Sequence, residues 1–91
     1  MYDDYVRDFR IIEKSDEEKK IELIVSIIRA KQELETANRN FEYAEAELID
    51  YYTYQIKANR SKLDYLMKVA KKNGIVLDMI KELELRLNKA I

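Results

Sequence analysis

The feature that most constrains this chain is its apolar rhythm across Leu48 to Ile75, LIDYYTYQIKANRSKLDYLMKVAKKNGI. Ile49, Tyr52, Ile56, Leu63, Leu66 and Ala70 recur there in steps of three, four and seven. That spacing lays them along one face of a helix about six turns long. The charged positions among the rest are mostly basic: Lys57, Arg60, Lys62, Lys68, Lys71 and Lys72, against the acids Asp50 and Asp64. Asn73-Gly74 then supplies residues that tolerate the left-handed conformation in which helices commonly end. A long, basic, tyrosine-bearing amphipathic helix of this kind has to lie against something.

A second stripe precedes it. Leu23, Ala30, Ala37 and Ala44 repeat every seven residues at one seam position, and Ile27, Leu34, Phe41 and Leu48 repeat at the other. Alternating small and large residues let a partner helix approach closely. Ile24 and Ile28 widen the stripe near its start, so that end is expected to meet a second neighbour. Ser15-Asp16-Glu17-Glu18 reads as a capping box opening this helix. The Ser15 hydroxyl is placed to take the Glu18 N–H, the Glu18 carboxylate to reach back to the Ser15 N–H, and the acids to suit the positive helix end.

Continuing the first heptad beyond Leu48 would carry Gln55 and Lys62 into the core, whereas moving to Ile49, Tyr52, Ile56, Leu63 and Leu66 restores it. A phase change near residues 42–47 means either a turn between two helices or a stutter inside one. Alanine and glutamate there break nothing. The turn is preferred because an unbroken helix from Asp16 to Lys72 would run about 85 Å and bury its face against nothing in its own chain. Beyond Gly74, Val76, Ile80, Leu83, Leu87 and Ala90 form a further short stripe, with Leu77 and Leu85 beside it. Upstream, Tyr2, Tyr5, Val6, Phe9 and Ile12 share a helical face that Asp3 or Asp4 could cap; a frayed arm is the alternative.

The chain therefore reads as all-α: an antiparallel helical hairpin, or coiled-coil-like bundle, with a short C-terminal third helix. Residues 1–14 form an N-terminal arm or short helix. Residues 15–91 form one helical domain, with helices at about 15–43, 47–73 and 75–90. Ninety-one residues with no proline and one glycine allow one small domain of this class.

Several residues in and around these stripes resemble the YaaL-like family of small bacterial proteins of unknown function. They are Ala30-Lys31-Gln32-Glu33-Leu34-Glu35, Asn40-Phe41, Leu48-Ile49-Asp50-Tyr51-Tyr52, Tyr54, Lys57-Ala58, Asp64-Tyr65-Leu66 and Ala70-Lys71-Lys72-Asn73-Gly74-Ile75. The likeness covers roughly residues 20–75, and none of its parts is a catalytic signature. Members usually carry a proline-containing break before the Leu-Ile-Asp triplet, where this chain has Tyr43-Ala44-Glu45-Ala46-Glu47. A basic-aromatic pair expected at 62–63 reads Lys62-Leu63. The resemblance implies a small cytosolic protein of low-GC Gram-positive type, often encoded near recombination or sporulation genes, and it implies no activity.

Composition excludes much chemistry. There is no cysteine and no histidine, so no thiolate nucleophile, disulfide, Cys-ligated metal or imidazole base is available. The longest apolar run, Leu23-Ile24-Val25-Ser26-Ile27-Ile28, falls far short of the ~20 residues of a membrane span. Met1-Tyr2-Asp3-Asp4 does not look like the start of a secretory signal, and a cytoplasmic location is expected. No glycine-rich phosphate loop, nucleophile elbow or acid–base pair is present, and a narrow bundle offers little concave volume. No enzyme activity, cofactor, metal or small-molecule substrate is expected.

Three constellations remain, one of them the basic face of the second helix, which could meet nucleic acid or an anionic membrane surface. Glu42, Glu45, Glu47 and Asp50 gather carboxylates near the turn. They could in principle hold a hard cation, but read first as a solvated face with favourable charge at a helix start. Tyr51, Tyr52, Tyr54 and Tyr65 are dense, and Tyr51, Ala58 and Tyr65 make a row beside the seam. Such rings could stack on bases, but a ring buried at a helix or subunit boundary with its hydroxyl wet is the plainer reading.

Charge is also divided. Residues 1–50 hold 8 Lys/Arg against 14 Asp/Glu, a net of −6, and residues 51–91 hold 9 against 4, a net of +5. Pairing of the two helices explains this split before an external polyanion does; Lys71-Lys72 would then lie near Asp16-Glu17-Glu18. The expected function is thus a non-enzymatic protein–protein interaction module that associates with itself, most simply as a homodimer, or with another protein. Its seam is Leu23, Ile27, Leu34, Phe41, Leu48, Ile49, Tyr52, Ile56, Leu63, Leu66, Ile80, Leu83 and Leu87. The alternative is a nucleic-acid-binding accessory using Tyr51, Tyr54, Lys57, Arg60, Tyr65, Lys68 and Lys71.

Overall fold

The computed structural model describes residues 14–90; the proposed N-terminal helical face of Tyr2, Tyr5, Val6, Phe9 and Ile12 lies outside them. Among the described residues there are three helices and no strand: α1 (Asp16–Glu42), α2 (Ile49–Lys72) and α3 (Leu77–Ala90). The expected all-α class and hairpin are what the chain adopts. α1 and α2 pack along each other, and α3 rests against α1.

α1 opens where the capping residues stand. The Ser15 hydroxyl accepts the Glu18 N–H at 3.2 Å, which satisfies one of the donors a helix start leaves over. The reciprocal half differs from expectation: the Glu18 carboxylate accepts the Ser15 hydroxyl proton at 3.3 Å rather than the Ser15 backbone N–H. α1 ends at Tyr43, and the chain turns through Glu45 in extended conformation into a single 3₁₀ turn, Ala46–Leu48. This break needs no glycine because, among the described residues, every non-glycine φ is negative.

The hairpin is antiparallel. Glu33 meets Lys62 at 3.3 Å, and Asp16, Lys19, Lys20 and Leu23 line one recess with Asn73. α2 stops in a Schellman turn. The Ile75 N–H donates to the Ala70 carbonyl at 3.0 Å and the Gly74 N–H to the Lys71 carbonyl at 3.2 Å, with Gly74 at φ +74°. Ala70 and Ile75 are both buried, giving the apolar contact that accompanies this motif.

The core sits at the end of the hairpin away from the 43–48 connection. Ile24, Ile27, Ile28, Ala70, Ile75 and Ile80 form it, with Leu23, Leu63, Leu66 and Leu83 packed against them. The extra width that Ile24 and Ile28 give α1 is therefore used by Ile75 and by Ile80 of α3. Ala30 and Ala37 are also buried.

Candidate interaction surface

The seam residues named from sequence divide by position along the hairpin. Ile27 and Ile80 are fully enclosed, and Leu23, Leu63, Leu66 and Leu83 are half-buried against the same cluster. Leu34, Ile49, Tyr52 and Ile56 are half-buried further along. Toward the turn the packing opens: Phe41 and Leu48 are exposed, as is Leu87 on α3. Sequence reasoning left out Ile75, which is 6% exposed. The signal was available, since the residue after the Asn-Gly stop of a helix commonly packs back on its last turn.

The second group lies on the outer face of α2. Tyr51, Tyr54, Lys57, Arg60, Tyr65, Lys68 and Lys71 are all exposed, so the helix brings them onto solvent-facing surface rather than into a pocket. Tyr52 turns inward from its neighbour and takes the Tyr51 ring edge-on at a centroid separation of 5.0 Å. The Tyr51 hydroxyl accepts from Gln55 Nε2 at 2.9 Å, which braces that ring along the helix.

Charge pairing inside the chain is sparse. Four ion pairs occur among the described residues: Lys14–Glu22, Lys31–Glu84, Lys62–Glu33 and Arg86–Glu82. Only Lys62–Glu33 joins α1 to α2. The expected pairing of Lys71-Lys72 with Asp16-Glu17-Glu18 does not form among the described residues, although the two clusters lie at the same end of the hairpin. α2's basic end and the acids around the turn are thus left facing water. Glu42, Glu45, Glu47 and Asp50 do not converge, and among the described residues no group of three or more His, Cys, Asp or Glu side chains could hold a metal ion. No described helix is long and apolar enough to cross a membrane.

A second apolar surface lies between α1 and α3, where Ile21, Ile24, Met79 and Leu83 line a shallow groove of about 210 Å³ edged by Glu82 and Arg86.

These features define a small helical-hairpin protein with a compact core at one end and an uncovered aromatic face along its second helix. The chain belongs to the family described as a protein of unknown function (DUF2508), whose profile matches residues 8–77. The YaaL-like resemblance is consistent with that membership, and the match begins upstream of the residues that carried it. Most of α3 lies beyond the matched span. No curated protein and no solved structure matches the chain.

Proposed function

We propose that the chain is a non-enzymatic interaction module that associates with itself, most simply as a dimer. The observation that carries this reading is the uneven cover of its apolar surface. Phe41, Tyr43, Leu48, Tyr51, Tyr54 and Tyr65 are each between 37% and 82% exposed along the turn and the back of α2. Scattered exposed apolar residues are ordinary, but three exposed tyrosines on one face of α2, with three more exposed apolar residues at the turn, support an interaction site. Aromatic side chains, tyrosine above all, supply much of the contact in such sites.

Sedimentation equilibrium at micromolar concentration tests the reading. A mass rising toward twice 10.9 kDa is expected. A monomer throughout the range that also melts cooperatively would overturn it.

The second reading, a nucleic-acid-binding module, is favoured by one observation. Lys57, Arg60, Lys68 and Lys71 make no ion pair among the described residues and stand beside exposed tyrosines. The acidic sequence pI of about 5.5 weighs against it.

A further inference from the structure

Two rows run along the back of α2. Tyr51, Tyr54, Ala58, Ser61 and Tyr65 follow one another in steps of three and four, so they share one face, and all five are exposed. These five residues carry no charge, the middle of the row is small, and Lys68 continues the face beyond Tyr65. Beside it lies a second row with a spacing of seven: Asp50, Lys57, Asp64 and Lys71. Its charges alternate in sign, all four residues are exposed, and none is ion-paired among the described residues.

We infer that this face, on the self-association reading above, seats α2 of a second copy of the chain, antiparallel about a two-fold axis near Ala58 and Ser61. A two-fold interface must be complementary to itself. Reversed end for end, the uncharged row sets Tyr54 across from the partner's Tyr65 and Ala58 across from the partner's Ser61. The two backbones then approach at the small residues while rings close over both sides. The same reversal brings Asp50 to within two residues, about 3 Å along the helix, of the position across from the partner's Lys71, and Lys57 equally near the partner's Asp64, and each pair occurs twice by symmetry. In a parallel two-fold pairing this row would lie on opposite sides of the interface in the two helices and would not meet its own copy. Flanking charges of this sort select orientation between helices, and this row selects antiparallel.

Size limits the strength of the contact. From Tyr51 to Lys68 the helix covers roughly 25 Å. One helix face of that length falls short of the ~800 Å² per partner of a standard interface. The association is accordingly weak and concentration-dependent.

A charge swap on the full chain tests the inference. Lys57→Glu/Lys71→Glu makes the row uniformly acidic, and Asp50→Lys/Asp64→Lys makes it uniformly basic. All four positions are exposed, so helix content by circular dichroism should match the wild type. Each variant alone should dissociate with a Kd raised at least about tenfold, and an equimolar mixture should recover the dimer mass in sedimentation.

A dimeric wild type whose two variants dimerise equally well would overturn this face and leave self-association standing. A monomeric wild type would overturn both. A wild type that retards a labelled single strand at low salt, with retardation lost in the acidic variant and no dimer at any concentration, would assign the face to nucleic acid instead.

Discussion

Gly74 is the residue at which this fold depends on one backbone conformation. Its φ of +74° suits the left-handed turn that ends α2, and nothing lies within 4 Å of where a Cβ would stand. Gly74→Ala therefore meets no steric obstacle, and its cost is conformational, of about 1 kcal/mol. For a domain near this size that predicts a fall in Tm of about 4–8 °C, with no change in oligomeric mass, as read by thermal melting and sedimentation. A melting temperature unchanged from wild type would show that α2 ends without help from this turn. The stop itself was legible, because Asn-Gly is a strong local signal. The burial of Ile75 follows from the same motif, but only once the motif is read through to the residue after the glycine.

Elements were legible wherever side-chain period speaks. The shift of the apolar rhythm between the two stripes pointed to a break that no breaker residue marks, and the chain does turn there, through Tyr43 and Glu45. Charge was not legible in the same way. A net of −6 on one half and +5 on the other suggested that the helices neutralise each other, yet one ion pair joins α1 to α2. Composition counts charges, whereas pairing depends on which side of each helix they leave from. That pair is also half-exposed on both sides and contributes only ~0–1 kcal/mol.

Orientation therefore rests on the apolar seam, and the hairpin should survive loss of the pair. Spin labels at Glu33→Cys and Lys62→Cys, positions that replace the pair itself, should report a short distance unchanged on dilution with unlabelled protein. A distance that vanishes on dilution would mean that α1 packs on α2 of another chain.

At the scale of the whole molecule the order of contacts is simple. α2 returns along α1 after the short 43–48 connection, and α3 returns along α1 after residues 73–76. The hairpin that holds most of the packing therefore closes between neighbours in the chain, and the core gathers at its open end around Ile27, Ala70 and Ile80. What the candidate surface lacked in the sequence was its sidedness. The apolar rhythm already put Tyr52 in the seam and Tyr51 and Tyr65 in a row beside it, but the packed hairpin shows that Tyr51, Tyr54 and Tyr65 share a solvent-facing side turned away from α1.

The short connections also have a consequence in time. Helical domains built from sequence-local pairings form quickly, in microseconds to milliseconds. A chain without proline has no prolyl isomerisation to delay a fraction of its molecules. Refolding after a temperature jump at submicromolar concentration should accordingly be a single fast exponential, and assembly should enter as a separate step whose rate grows with concentration. A slow phase of tens of seconds that is indifferent to concentration would contradict this.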